Sequence, residues 1–148
     1  MILDFDSRGN LHPGVHRLTW LEFKQNYGYN NTRLKLLGGL LRLARNLKIA
    51  GCRTIFVNGS FVTNKQHPGD YDACWDATGV DATKVSPLLL DFSERGPALS
   101  KLEFGGDIRP DMVTVHDCVM PFLEFFQRDK EGHRKGIVSI RLQEDNLE

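Results

Sequence analysis

The chain has 148 residues, of which 19 are basic and 19 acidic, so its formal net charge is zero. This length leaves too little chain for two ordinary domains, and we expect one domain over residues 1–148. Hydrophobic residues make up 41% and charged residues 26%, which is typical of a folded globular protein. The neutral charge argues neither for nor against nucleic-acid binding.

Neither a membrane span nor a secretion signal is predicted. The longest apolar-leaning stretch, residues 34–50, contains four basic side chains and is therefore unsuited to crossing a bilayer. The first six residues lack a basic segment followed by an apolar run. The three cysteines form no CxxC pair, which favours buried thiols in a reducing compartment. We expect a cytoplasmic protein.

Charge is unevenly distributed along the chain. Residues 17–53 carry eight basic side chains and one acidic one, whereas residues 66–125 carry eleven acidic and four basic ones. One interpretation is two solvated surfaces that attract each other weakly. The other is an acidic metal site beside a basic surface that receives a polyanion, such as RNA.

The first third of the chain predicts two helices after an irregular segment that spans residues 1–18. Thr19 and Glu22 have the spacing of a capping box, which predicts a short helix to about Tyr27. Asn30-Asn31 predicts the start of a longer helix with Gly51 as its C-cap. The predicted apolar face of that helix consists of Leu34, Leu37, Leu40, Leu41, Ala44 and Leu47.

The rest of the chain predicts alternating strands and short helices. The predicted elements are strands over residues 54–57, 71–75 and 136–140, a short helix capped by Asp81, and a helix over residues 118–127. Residues 88–90 fit either a helix or a strand, and Gly96-Pro97 predicts a break.

One segment carries the pattern of a chemical site. The first predicted strand ends near Gly59-Ser60, nine residues follow, and Asp70 and Asp72 then mark the second strand. Because residues two apart share one face of a strand, we expect both carboxylates to point the same way. Two carboxylates and a substrate phosphate are ligands that Mg²⁺ prefers. Gly59 allows close backbone approach to a phosphate. The alternative is a hairpin-like turn with exposed aspartates.

These residues resemble the signature of the polymerase-beta-type nucleotidyltransferase superfamily. That signature is Gly-Ser or Gly-Gly, nine to thirteen residues, and then Asp-x-Asp or Asp-x-Glu, which Gly59, Ser60, Asp70 and Asp72 match. The resemblance implies a third carboxylate on a later strand, for which Asp107 is the candidate and Asp111 the runner-up. It also implies an α/β (α+β) fold, with a mixed sheet flanked by helices.

A narrower resemblance extends over nearly the whole chain, to a family of small bacterial and phage proteins classed with that superfamily. It rests on residues 9–16, 19–23, 59–63, 68–70, 125–129 and 135–138. The superfamily likeness implies Mg²⁺ or Mn²⁺ at Asp70, Asp72 and Asp107, with an NTP as substrate. Lys65 lies between the two halves of the motif, where it either contacts a phosphate or is solvated.

Two classes of function follow from these observations. The first is a metal-dependent transferase that moves a nucleoside monophosphate from an NTP to a hydroxyl on a protein, an RNA or a small molecule. The second is a non-catalytic nucleotide- or partner-binding module, such as one half of a toxin–antitoxin or phage-defence pair. A basic group, Arg128, Lys130, Arg134 and Lys135, is predicted either to bind phosphates or to be solvated.

Overall fold

The structure is a computed structural model of the chain, and it describes residues 5–111, 127 and 131–147. The strands are β1 (Gly14–Arg17), β2 (Thr54–Asn58), β3 (Tyr71–Trp75), β4 (Gly106–Pro110) and β5 (Gly136–Arg141). The α-helices are α1 (Trp20–Tyr27), α2 (Asn31–Ile49) and α3 (Arg95–Phe104). Short 3₁₀ helices span Ser60–Val62, Ala82–Lys84 and Pro87–Leu90.

The five strands form one mixed sheet in the order β1-β5-β2-β3-β4. The two outer pairs, β1 with β5 and β3 with β4, are parallel, whereas β2 is antiparallel to both of its neighbours. The described residues therefore have an α+β fold, with a mixed sheet and three α-helices, and the α+β class and mixed sheet implied by the resemblance are confirmed. The last strand of the chain lies inside the sheet, and five of its six residues are buried.

Both helix starts that the sequence predicts are confirmed. The Thr19 hydroxyl accepts a hydrogen bond from the Glu22 amide, and the Glu22 carboxylate accepts one from the Thr19 amide. The Asn30 side chain caps α2 by accepting from the Arg33 amide. The helix ends at Ile49, so Gly51 lies one residue beyond the cap position and has a φ of +89°.

Two predictions for irregular segments are wrong. Residues 14–17 form β1, a four-residue strand whose partner β5 lies more than 100 residues later, so no local pattern indicates it. Gly96-Pro97 does not break the chain but lies in the first turn of α3, where a proline costs no helical hydrogen bond. Gly96 is required there, because a Cβ would lie 1.9 Å from the Asp91 carbonyl oxygen.

The core lies between the sheet and the helices, and α2 contributes most of its helical part. Its buried apolar side chains are Leu37, Leu40, Leu43, Ala44 and Leu47. Leu34, which the sequence places on this face, is 47% exposed, and Arg33 is buried instead. At Gly39, α2 meets the end of α3 so closely that a Cβ would lie 2.0 Å from the Phe104 carbonyl oxygen.

Cys52 and Cys74 are buried free thiols, as the sequence predicts. The predicted helix over residues 118–127, the third cysteine at 118, and the basic residues 128 and 130 lie outside the described residues, except for Gln127. Within the described part of the chain, no helix is both long enough and apolar enough to span a membrane.

Candidate active site

The three predicted carboxylates are brought together where β3 and β4 begin. Asp72 lies on β3 opposite Asp107 on β4, and its neighbour on the other side is Asn58 of β2. Cross-strand partners project to the same face of a sheet, so Asp72 and Asp107 are side by side. Asp70 lies just before β3 rather than on it, two residues from Asp72.

The electrostatics of Asp72 reflect this crowding. The pKa of Asp72 is raised from 3.8 to about 6, mainly by burial and further by the negative charges of Asp70 and Asp107. Lys135 and Lys101 act in the opposite direction. Three carboxylates are thus held close enough to disfavour ionisation of the middle one, which is a feature typical of functional sites.

Gly59 packs directly against Asp72. It follows β2 with a φ of +83°, a conformation that favours glycine, and a Cβ here would lie 2.5 Å from Asp72 Oδ2. The chain then turns into the 3₁₀ helix that begins at Ser60. The structure therefore brings Gly59 and Ser60 to the same place as the carboxylates, as the motif predicts.

The loop after Ser60 is held by Arg33, a side chain that the sequence analysis did not single out. Arg33 has no exposed surface. Its guanidinium donates to the backbone carbonyl oxygens of Phe61 (2.7 Å), Thr63 (3.0 Å), Lys65 (2.6 Å) and Tyr27 (3.3 Å). The same group lies 4.6 Å from the ring centre of Tyr29 and 4.9 Å from that of Phe61.

Lys65 anchors this loop through its backbone. Its backbone carbonyl is a main acceptor of Arg33, and the residue itself is exposed. Asn64, the preceding residue, donates its backbone amide to the Gly9 carbonyl at 3.1 Å. The loop between Ser60 and Asp70 is therefore fixed from two sides through its backbone, and a phosphate contact by Lys65 stays a prediction.

Basic side chains face two of the three carboxylates. Lys101 Nζ lies 3.0 Å from Asp70 Oδ2, and Arg109 Nε lies 3.0 Å from Asp107 Oδ1. Lys135, just before β5, belongs to the predicted basic group, and its charge lowers the pKa of Asp72. Lys101 and Arg109 were not predicted as site residues, because a lysine on a helix and an arginine on a strand carry no sequence signal of their own.

The three carboxylates have the ligand chemistry that a hard divalent cation requires, but their present positions do not form a metal site. Carboxylate oxygens are the donors that Mg²⁺ and Mn²⁺ prefer, and the absence of a Cβ at Gly59 lets Asp72 Oδ2 lie close against the backbone there. As they stand, however, no three His, Cys, Asp or Glu side chains of the described residues form a group ready to hold a metal ion. A cation here requires the carboxylates to turn from Lys101 and Arg109.

Asp111, the alternative third carboxylate, lies at the other end of the two strands. Its amide donates to the Trp75 carbonyl at 2.8 Å, beyond the last residue of β4. It lines a separate, mostly apolar cavity of about 300 Å³ with Trp75, Val85 and Phe92. The structure therefore brings Asp107, and not Asp111, next to Asp72.

Comparison with known proteins identifies a family for this chain. Residues 3–141 match DUF6932, a family of unknown function. The chain belongs to this family. The search of curated proteins found no match, and the search of solved structures found none either. Membership of DUF6932 assigns no activity to the chain.

The raised pKa of Asp72 predicts a pH-dependent effect of Asp72→Asn on stability. The pKa of this carboxyl is about 6 in the folded state and 3.8 without the fold, so ionisation of Asp72 destabilises the folded state. This destabilisation is absent below about pH 4 and reaches its full size above about pH 7. The variant, which has no charge to bury, should be more stable than the wild type by roughly 2–3 kcal/mol at pH 8 and about equal at pH 4. Urea unfolding at both pH values measures the difference.

Asp81→Asn is the matched control for that experiment. Hydrogen bonds from the Thr83 hydroxyl and amide lower the pKa of Asp81, so its ionised form stabilises the fold at neutral pH and this contribution is lost in acid. The control variant should therefore be less stable than the wild type at pH 8, the opposite sign. If Asp72→Asn raised the free energy of unfolding by no more at pH 8 than at pH 4, the prediction would be contradicted.

Proposed function

We propose that the chain transfers a nucleoside monophosphate from a nucleoside triphosphate to a hydroxyl group. The observation that carries this proposal is the side-by-side placement of Asp72 and Asp107, with Asp70 two residues away and Gly59 packed against Asp72. Collected carboxylates beside a glycine turn are what divalent-cation-dependent phosphoryl transfer requires of a protein. The resemblance of Gly59, Ser60, Asp70 and Asp72 to the nucleotidyltransferase signature supports the same function.

In the proposed reaction, the acceptor oxygen forms a bond to the α-phosphorus of the NTP. The bond from that phosphorus to the oxygen bridging to the β-phosphate breaks, and pyrophosphate leaves with the electron pair. The proton of the hydroxyl passes to a carboxylate of the cluster. Mg²⁺ or Mn²⁺, when bound, supplies charge stabilisation for the transferred group and the leaving group.

The chain's own residues divide this work. Asp70, Asp72 and Asp107 provide the oxygen ligands for the cation. Gly59 and Ser60 hold the β- and γ-phosphates, because the glycine allows the backbone to approach closely. Arg33 holds the backbone of the loop after Ser60, which lowers the entropy cost of ordering this contact on binding.

Label transfer from NTPs labelled at the α-phosphate tests the proposal. With Mg²⁺, and with lysate protein and RNA as separate acceptors, we expect transfer by the wild type and none by the double variant Asp70→Asn, Asp72→Asn. Asp76→Asn, just beyond the other end of β3, is the matched control and should keep the activity. Transfer by the double variant at the wild-type rate would show that the residues are assigned wrongly.

The ion pairs at the site favour a second candidate, a nucleotide- or partner-binding module without turnover. Lys101 and Arg109 already neutralise Asp70 and Asp107, so the cluster is stable without a metal. For such a module, the wild type binds NTP in an equilibrium assay but transfers no label to any acceptor. The same label-transfer experiment therefore separates the two candidates.

A further inference from the structure

The ion pair between Lys101 and Asp70 has a role of its own at the carboxylate cluster. We propose that Lys101 is a built-in counter-ion of the cluster, which a divalent cation displaces and which then contacts the phosphates of the bound nucleotide. This inference rests on the proposed function, since it names a substrate-contacting residue of the same site. It makes Lys101 the side chain that distinguishes the metal-free from the nucleotide-bound site.

Lys101 is positioned to act on all three carboxylates. Its Nζ lies 3.0 Å from Asp70 Oδ2. The pKa of Lys101 is raised first by its hydrogen bond to Asp70 and by the charge of Asp70, and further by the charges of Asp107 and Asp72. The positive charge of one ammonium group thus interacts favourably with all three carboxylates, as a bound cation would.

The backbone of Lys101 is fixed, whereas its side chain is free to swing. Lys101 lies in the last turn of α3, and its carbonyl accepts the capping hydrogen bond from the Gly105 amide at 2.9 Å. The side chain is 58% exposed, and lysine has a flexible four-carbon stem with a strongly hydrated head. Leaving Asp70 therefore moves Nζ by rotation about side-chain bonds only.

Competition follows from the charges. A divalent cation on Asp70 takes the oxygen that Lys101 holds, and two positive groups at that distance repel each other. Nζ must then move away from the metal but stays near the mouth of the cluster, because its Cα does not move. The phosphates of an NTP bound at the carboxylates bring new negative charge to that place, and a lysine binds phosphate as a point charge.

The proposal predicts opposite effects of Lys101→Met on two ligands. For Mn²⁺ alone, the dissociation constant should fall about three- to tenfold, because the competing cation is gone. For ATP at saturating Mn²⁺, the dissociation constant should rise about three- to tenfold, because a phosphate contact is lost. Electron paramagnetic resonance measures free Mn²⁺ directly, and calorimetry measures ATP binding, so neither readout needs turnover.

Lys84→Met is a closely matched control. Lys84 also has a side chain that is 58% exposed and pairs with an aspartate, Asp81, at 4.0 Å, but away from the cluster. Both dissociation constants should stay at the wild-type values in this variant. Lys101→Arg, which keeps the charge, should restore most of the ATP affinity. Circular dichroism confirms that each variant is folded.

The outcomes separate the inference from the proposed function. Tighter Mn²⁺ binding with weaker ATP binding in Lys101→Met supports the inference, as does Mn²⁺ binding that appears only in that variant. Equal Mn²⁺ affinity in the wild type and Lys101→Met, or weaker Mn²⁺ binding in the variant, overturns the inference and leaves the metal site standing. No Mn²⁺ binding by either protein overturns both.

Discussion

Replacing Arg33 with methionine should lower the free energy of unfolding by about 3–5 kcal/mol, one of the largest losses expected from a single substitution in this chain. The guanidinium satisfies backbone carbonyl groups of the loop after Ser60 and of Tyr27, at a position with no exposed surface. Methionine fills similar volume but removes the donor from the buried carbonyls of Tyr27 and Phe61, and each buried acceptor left unsatisfied costs about 1–3 kcal/mol.

Urea unfolding measures the loss, and hydrogen exchange at the amides of residues 60–65 locates it. Exchange in this loop should become faster in Arg33→Met than in the wild type, because Arg33 holds its carbonyls. Lys35→Met is the control on the same helix, where the side chain is exposed, and should change stability by less than about 0.5 kcal/mol. A loss of under 1 kcal/mol for Arg33→Met would show that the loop holds its conformation without the guanidinium.

Gly39→Ala should also be strongly destabilising, with a loss of about 2–3 kcal/mol. The added Cβ would lie 2.0 Å from the carbonyl oxygen of Phe104, which is backbone and cannot rotate away. That oxygen also accepts a hydrogen bond from the buried hydroxyl of Tyr71 at 2.9 Å. Separating α2 from α3 would therefore weaken this bond as well.

The neighbouring glycine supplies the matched control. A Cβ at Gly38 meets nothing within 4 Å, and alanine is the better helix former by about 1 kcal/mol. Gly38→Ala should therefore stabilise the protein by up to that amount, and Gly39→Ala should destabilise it, although the two glycines are adjacent in α2. If the two substitutions shifted the unfolding midpoint in the same direction, the close contact with Phe104 would be disproved.

Local signals explain which elements could be predicted. The caps of α1 and α2 are made by side chains within three residues of the backbone groups that they satisfy, so Thr19, Glu22 and Asn30 are legible in the sequence. β2 is a short apolar run and β3 a segment with alternating faces, and both patterns are typical of strands. The motif that joins them therefore positions Gly59 and Asp72 correctly.

The missed features depend on contacts between distant segments. Arg33 occupies a position that looks solvent-facing by helical periodicity, and only the return of residues 61–65 onto α2 makes it buried. Lys101 is three residues from the end of α3, and nothing local to it indicates that Asp70 lies beside it. The third carboxylate was predicted from a resemblance, and its proximity to Asp72 depends on the register of β3 and β4.

The position of β5 inside the sheet has a consequence for how the chain acquires its structure. β5 is the last strand to be synthesised, yet it lies between β1 and β2 and joins them. The 77 residues between the end of β2 and the start of β5 take about 4–15 s to translate at about 5–20 residues per second. During that interval β1 and β2 lack this partner, so they are joined into one sheet only after β5 has been synthesised, and contacts across more than 100 residues make this step slow.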